Sequence, residues 1–220
     1  MTTLLIPALR LNPNRTTASV TGIVLRPTRP DDAAALQDFV RALSPASRRL
    51  RFHVALRELS EVMLQALTHV DQRAHVAFVL TSHESGQERI VGEARYVVTD
   101  DGESAEFGIA VADAYRGRGL AERLLAALVD AARAAGLRWL VGDVLADNAR
   151  MLAFVRRCGF AESTRGVEPG LVRVERCVDR PLAAAQGAGS WMQAAGRLVC
   201  HLLASSRRRS PQAALYCQPF

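Results

Sequence analysis

The spacing of apolar residues changes period several times along the chain, and each change marks an element. Residues 22–26 form a short apolar run that suits a first strand. Pro30, Asp31 and Asp32 then open a helix, because proline fits the first turn and acids there complement the helix dipole. Ala35, Leu36, Phe39, Val40 and Leu43 recur at helical spacing and give it one apolar face. Ser44-Pro45 breaks this helix, an arginine-rich stretch runs through Phe52, and a further helical segment is expected at about 60–69. The β-rich runs 76–81 and 90–98, separated by the turn-like Glu84-Ser85-Gly86-Gln87, predict a hairpin. Asp100-Asp101-Gly102 is the next tight turn, leading into a strand over 104–111.

Beyond this point helical and strand periods alternate. Leu120, Leu124, Leu125, Leu128, Val129 and Ala132 make a helical stripe that ends near Gly136, and 139–145 reads as a strand. Asp147-Asn148 caps a helix reaching Arg157, with Gly159 as its terminator, and two closing strands follow at about 160–164 and 171–177. The order predicts an α/β protein with a mixed sheet flanked by helices. Strands 104–111 and 139–145, joined by a crossover helix, should run parallel. Residues 1–20 lack sustained periodicity and read as a leader, 21–179 as one domain, and 180–220 as a basic tail with a short amphipathic helix around Trp191 to Leu202.

Composition narrows the function classes. The chain of 220 residues is 49% hydrophobic and 23% charged, which is ordinary for a globular protein. Its formal charge of +6 hints at nucleic acid until it is located: five arginines and no acid lie from Arg180 onward, leaving +1 for the rest. Neither nucleic acid nor membrane is therefore expected as a partner of the main domain, and the tail's partner is left unassigned. No apolar run is long enough to cross a membrane, and prolines and arginines interrupt the N-terminal stretch, so a cytoplasmic protein is expected. Cys158, Cys177, Cys200 and Cys217 have neither paired spacing nor nearby histidines, so no disulfide framework and no metal site are expected. All 28 basic residues are arginine, so the chain has no lysine side chain on which to acetylate itself.

The segment richest in chemistry joins strand 104–111 to the loop Arg116-Gly117-Arg118-Gly119 and then to a helix beginning Leu120-Ala121. Two glycines separated by one residue let backbone N–H groups converge, and a helix start adds unpaired N–H groups and partial positive charge. Such a place suits a pyrophosphate, although a tightly packed helix start has the same glycines. Arg116 and Arg118 favour an anion. No Gly-Lys-Ser/Thr follows, and the glycine spacing does not fit a dinucleotide fingerprint.

Arg116, Gly119 and Ala121, followed by Asn148 and Gly159-Phe160, resemble the two signatures of the GNAT N-acetyltransferases over about residues 24–160. The resemblance implies an acyl-CoA N-acyltransferase fold with two splayed parallel strands and acetyl-CoA between them. Pantetheine would pair with the backbone of Ile109, Ala110 and Val111, and the pyrophosphate would rest on N–H groups of Gly117, Arg118, Gly119, Leu120 and Ala121 beside Arg116. Asn148 would reach the cosubstrate, or serve only as a helix cap.

Strand alternation places Glu106 with Gly108 and Ala110 on one face. Pattern alone allows a solvated glutamate there; the resemblance implies the general base. Many GNAT enzymes also carry a tyrosine acid in the helix after the asparagine, where this chain has Val155. The acid is thus unassigned: solvent can serve, and Tyr96 and Tyr115 are substitutes that read first as packing residues.

Residues 43–52, Gly92 to Tyr96 and Ser104-Ala105-Glu106-Phe107 further resemble bacterial protein lysine acetyltransferases acting on acyl-CoA synthetases. That likeness implies a protein lysine as acceptor. A small amine, or a non-catalytic acetyl-CoA-binding role, is the alternative. Arg48, Arg49 and Arg51 could line an acceptor groove or a solvated helix face, and His53 and His69 are read as structural.

Overall fold

The computed structural model describes residues 22–84, 86–163 and 168–179; the expected leader over 1–20 and tail over 180–220 lie outside the described residues. Seven strands form one sheet: β1 (Ile23–Pro27), β2 (His75–Glu84), β3 (Gln87–Val98), β4 (Ser104–Val111), β5 (Trp139–Leu145), β6 (Ala161–Ser163) and β7 (Leu171–Cys177), in the order β1-β2-β3-β4-β5-β7-β6. Every neighbouring pair is antiparallel except β4 and β5. That parallel pair is joined by α4 (Leu120–Ala134), the crossover helix the alternating pattern predicts.

Hydrophobic faces on both sides of the sheet hold the layers together. From α4, Leu120, Leu124, Leu125, Leu128 and Val129 bury against Leu80, Tyr96 and Phe107. Burial of each such leucine is worth about 1.5–3 kcal/mol. α5 (Ala149–Arg157) adds Leu152, Phe154 and Val155 to the same core. On the other face α1 (Ala33–Ala42) brings Leu36, Phe39 and Val40 against Val79 and Ile90, with Leu67 from α3 (Glu61–Thr68).

Two local readings are corrected by the structure. The arginine-rich stretch after Ser44-Pro45 is a full helix, α2 (Pro45–Phe52), with the Ser44 side chain accepting from the Ser47 N–H and proline in the first turn. The break in the pattern is one helix stopping and another starting. The hairpin strands also run further than their apolar runs, to Glu84 and Gln87, because outer hairpin positions need no core contact to keep their ladder bonds.

α2 is bound to the sheet by a buried triad. Arg51 Nε donates to Glu93 at 2.6 Å and Arg95 Nε donates to the other carboxylate oxygen at 3.0 Å, with side chains 6%, 4% and 3% exposed in the order Arg51, Glu93, Arg95. Burial alone would raise the Glu93 carboxyl, but the charges and hydrogen bonds of Arg51 and Arg95 outweigh it and hold it below the usual carboxylate range. Since the folded-state value is depressed, the stabilisation is present above the unfolded-state ionisation and is lost as pH falls through the folded one. Glu93→Gln removes the buried carboxylate that balances two buried guanidiniums and is expected to lower the unfolding free energy by about 3–5 kcal/mol in urea titrations at pH 7. A loss within experimental scatter would show that the triad does not anchor α2.

Candidate functional site

β4 and β5 pair through only three residues each, Ser104, Ala105 and Glu106 with Trp139, Leu140 and Val141. After Glu106, β4 keeps β3 as its neighbour as far as Val111, while β5 stays paired to β7 along its whole length. The two strands therefore part, and beyond Glu106 the side of β4 toward β5 has no strand against it. The ring of Phe107 lies over Gly142 of β5, where an added Cβ would come within 2.8 Å of it. On the opposite face of β4 the Arg51 guanidinium covers Gly108, leaving 2.8 Å to a Cβ there.

A cavity of about 480 Å³ occupies this split. Of the residues singled out from the sequence, Ile109, Ala110, Val111, Arg116, Gly117, Gly119, Leu120, Ala121 and Asn148 line it. Glu106 and Arg118 do not. Glu106 is half-buried at the last parallel pair, opposite Val97 and Val141, on the α2-side face with Gly108. Arg118 stacks on the Tyr115 ring, its guanidinium carbon 4.9 Å from the ring centroid.

The glycine loop has the backbone its sequence requires. Gly117 and Gly119 have φ of 75° and 72°, the left-handed region where side chains are strained. Gly119 is also the residue from which α4 starts, so the loop and the first helical turn present their N–H groups together.

Arg116 has a second task. Its guanidinium pairs with Asp113 at 2.7 Å and donates to Ser47 Oγ at 2.7 Å. Asp113 in turn accepts from the Ser44 N–H at 2.9 Å and from Ser47 Oγ at 2.7 Å. Burial works to raise the Asp113 carboxyl, but these donors and Arg116 lower it. The side chain read as an anion ligand thus fastens the loop to the start of α2. Asn148 accepts from the Met151 N–H at 3.1 Å, so it caps α5 while facing the cavity.

The proton-donor candidates separate clearly. Tyr96 is fully buried in the α4-side core, where burial pushes its phenol up, and it is not in the cavity wall. Tyr115 is in the wall. Val155 is fully buried in the core. Sequence reasoning missed Arg150 and Arg157, which line the cavity from α5, and their seven-residue spacing on one helical face was the available signal. It also missed Ser47, Leu50 and His53, all brought to the cavity by α2. Among the described residues no group of three or more histidine, cysteine or acidic side chains is placed to hold a metal ion, and no helix is long and apolar enough to cross a membrane.

The family description "Acetyltransferase (GNAT) domain" matches residues 23–161. The chain belongs to the GNAT acetyltransferase family. It is accordingly an enzyme that takes its acetyl group from acetyl-CoA. A curated acetyltransferase of Pseudomonas aeruginosa is 34% identical over 138 residues, 63% of this chain and 74% of that protein. Acetyltransferase Pat of Mycolicibacterium smegmatis is 29% identical over 136 residues, 61% of this chain but only 40% of that protein. The solved GNAT domain of S. lividans PAT superposes with a TM-score of 0.65 at 29% identity, covering 70% of this chain and 90% of that one. The seven-stranded mixed sheet thus belongs to the same fold as the S. lividans domain.

Gly119→Ala forces a side chain onto the left-handed backbone at the head of α4, a cost of about 1–2 kcal/mol. Calorimetry is expected to show CoA binding weakened about tenfold, with the melting temperature lowered by about 2–8 °C. Unchanged affinity would place the pyrophosphate elsewhere.

Proposed function

We propose that this GNAT enzyme acetylates the side-chain amine of a protein lysine, with Glu106 as general base. The observation that carries the reading is a second opening. A groove of about 390 Å³, bounded by Arg49, Asp147, Glu168 and Leu171, lies next to the cofactor cavity, and His53 lines both. With acetyl-CoA in the split, a long thin amine could reach the thioester through this groove without crossing the cofactor. The likeness to the Pat-type relatives supports a protein as acceptor, and an acyl-CoA synthetase is the candidate we would test first.

In this reading Ile109, Ala110 and Val111 hold pantetheine, Gly117 to Ala121 and Arg118 surround the pyrophosphate with their N–H groups, and Asn148 and Arg116 complete the cosubstrate site. Glu106 takes a proton from the substrate ammonium through water. The neutral nitrogen then attacks the thioester carbon and the C–S bond breaks. Its electron pair leaves on the CoA sulfur, which is protonated as the new amide nitrogen loses its second proton. Holding amine and thioester together in one complex supplies much of the acceleration.

A cell extract treated with the purified protein and labelled acetyl-CoA should carry label on protein lysines, read by mass spectrometry. Label confined to free small amines rejects the protein acceptor. Glu106→Gln should lower kcat by about 10²–10⁴ with CoA affinity retained. An unaltered kcat removes Glu106 as the base.

A further inference from the structure

We propose that His53 binds the acceptor amine, accepting a hydrogen bond from the incoming ammonium group at the neck between groove and cofactor cavity. This rests on the acetyl-transfer reading above and adds to it a residue that selects for a primary amine. Among the described residues only His53 lines both cavities, which sets it beside the path an acceptor would take from the groove to the thioester.

The backbone holds that ring in place. His53 ends α2 in the left-handed region at φ 60°, its N–H donating to the Arg49 carbonyl at 2.8 Å. Glycine is the usual residue for such a helix end. A side chain retained here is placed in the neck by the way α2 stops, and α2 itself is fixed by Arg51 to the sheet and by Ser47 to the cofactor loop.

The charged groups around the ring are otherwise engaged. Arg51 is held by Glu93, Asp143 of β5 accepts two hydrogen bonds from Arg173 at 2.8 and 2.7 Å, and Arg49 pairs with Asp147 at 2.9 Å. Glu168 stands on the groove rim. His53 Nδ1 is buried without a hydrogen-bond partner among the described residues, so the ring meets a ligand through its other nitrogen, Nε2, in this half-buried side chain. Burial chiefly, then Arg51 and Arg49 against the opposing pull of Asp143, lowers the imidazole below its usual range, so it is neutral near pH 7. A neutral imidazole offers one acceptor nitrogen, which suits an ammonium donor. Once protonated, the ring becomes a second cation in the neck and repels it.

The probe is Nα-acetyl-lysine methylamide, a blocked lysine with a free ε-amine, used with the full chain and saturating acetyl-CoA. Asparagine tolerates a left-handed backbone, so His53→Asn keeps the helix end. It is expected to raise the KM for the probe about tenfold with a smaller change in kcat, and to leave CoA affinity intact, whereas Glu106→Gln moves kcat. In the wild type KM rises as pH falls through the imidazole ionisation; in His53→Asn that acid limb is absent. An unchanged KM, or a raised KM with the acid limb intact, overturns the proposal.

A second readout needs no turnover. With CoA bound, saturating probe should shift the His53 imidazole resonances in NMR spectra, and no shift overturns the proposal even if the wild type acetylates the probe. A shift without acetyl transfer to any amine upholds His53 as the amine contact and rejects the catalytic reading.

Discussion

The split between β4 and β5 is the constraint on which the rest of the molecule depends. A strand buried in a sheet normally satisfies its N–H and C=O groups on both sides, and leaving one side unpaired is costly unless a ligand or water completes it. β4 gives up its β5 neighbour after Glu106 yet stays bonded to β3 to its end, so the strand is rigid while its other edge is available. Gly142 and Gly108 make the parting possible, since the first admits the Phe107 ring and the second admits the Arg51 guanidinium. A cosubstrate whose pantetheine arm carries amides can then act as the missing neighbour.

The split would be of little use if the surrounding pieces moved independently, and α2 prevents that. One helix is joined to the sheet through Arg51 and Glu93, and to the cofactor loop through Ser47, Asp113 and Arg116. The joints differ in kind. The first is buried and shared with Arg95, where losing a partner is costly; the second is half-exposed and made of short hydrogen bonds. Together they put the α2 wall of the cavity and the glycine loop into one frame.

The strands flanking the split were legible to the residue, over 104–111 and 139–145, because turn residues bound both. The glycine loop was legible for a related reason: only glycine adopts those backbone angles without strain, so the residues announce the conformation. α2 was not, because three arginines and a proline mask its period, although Ser44 followed by proline is a sound helix start. Arg116 shows the limit of reading a side chain from its charge. Its position in the loop was correct, but Asp113 and Ser47 determine where its guanidinium points.

Local rules thus determined the order of elements, the parallel pairing across α4 and the backbone of the loop, since each follows from periods and glycine angles within a few residues. Tertiary structure alone decided that β4 and β5 part after Glu106, which cavity the shared face of Arg150 and Arg157 lines, and that His53 lines two cavities. Those facts arise from contacts between segments far apart in the chain. A side chain's surroundings there are set by what packs against it, and no neighbour in sequence carries that information.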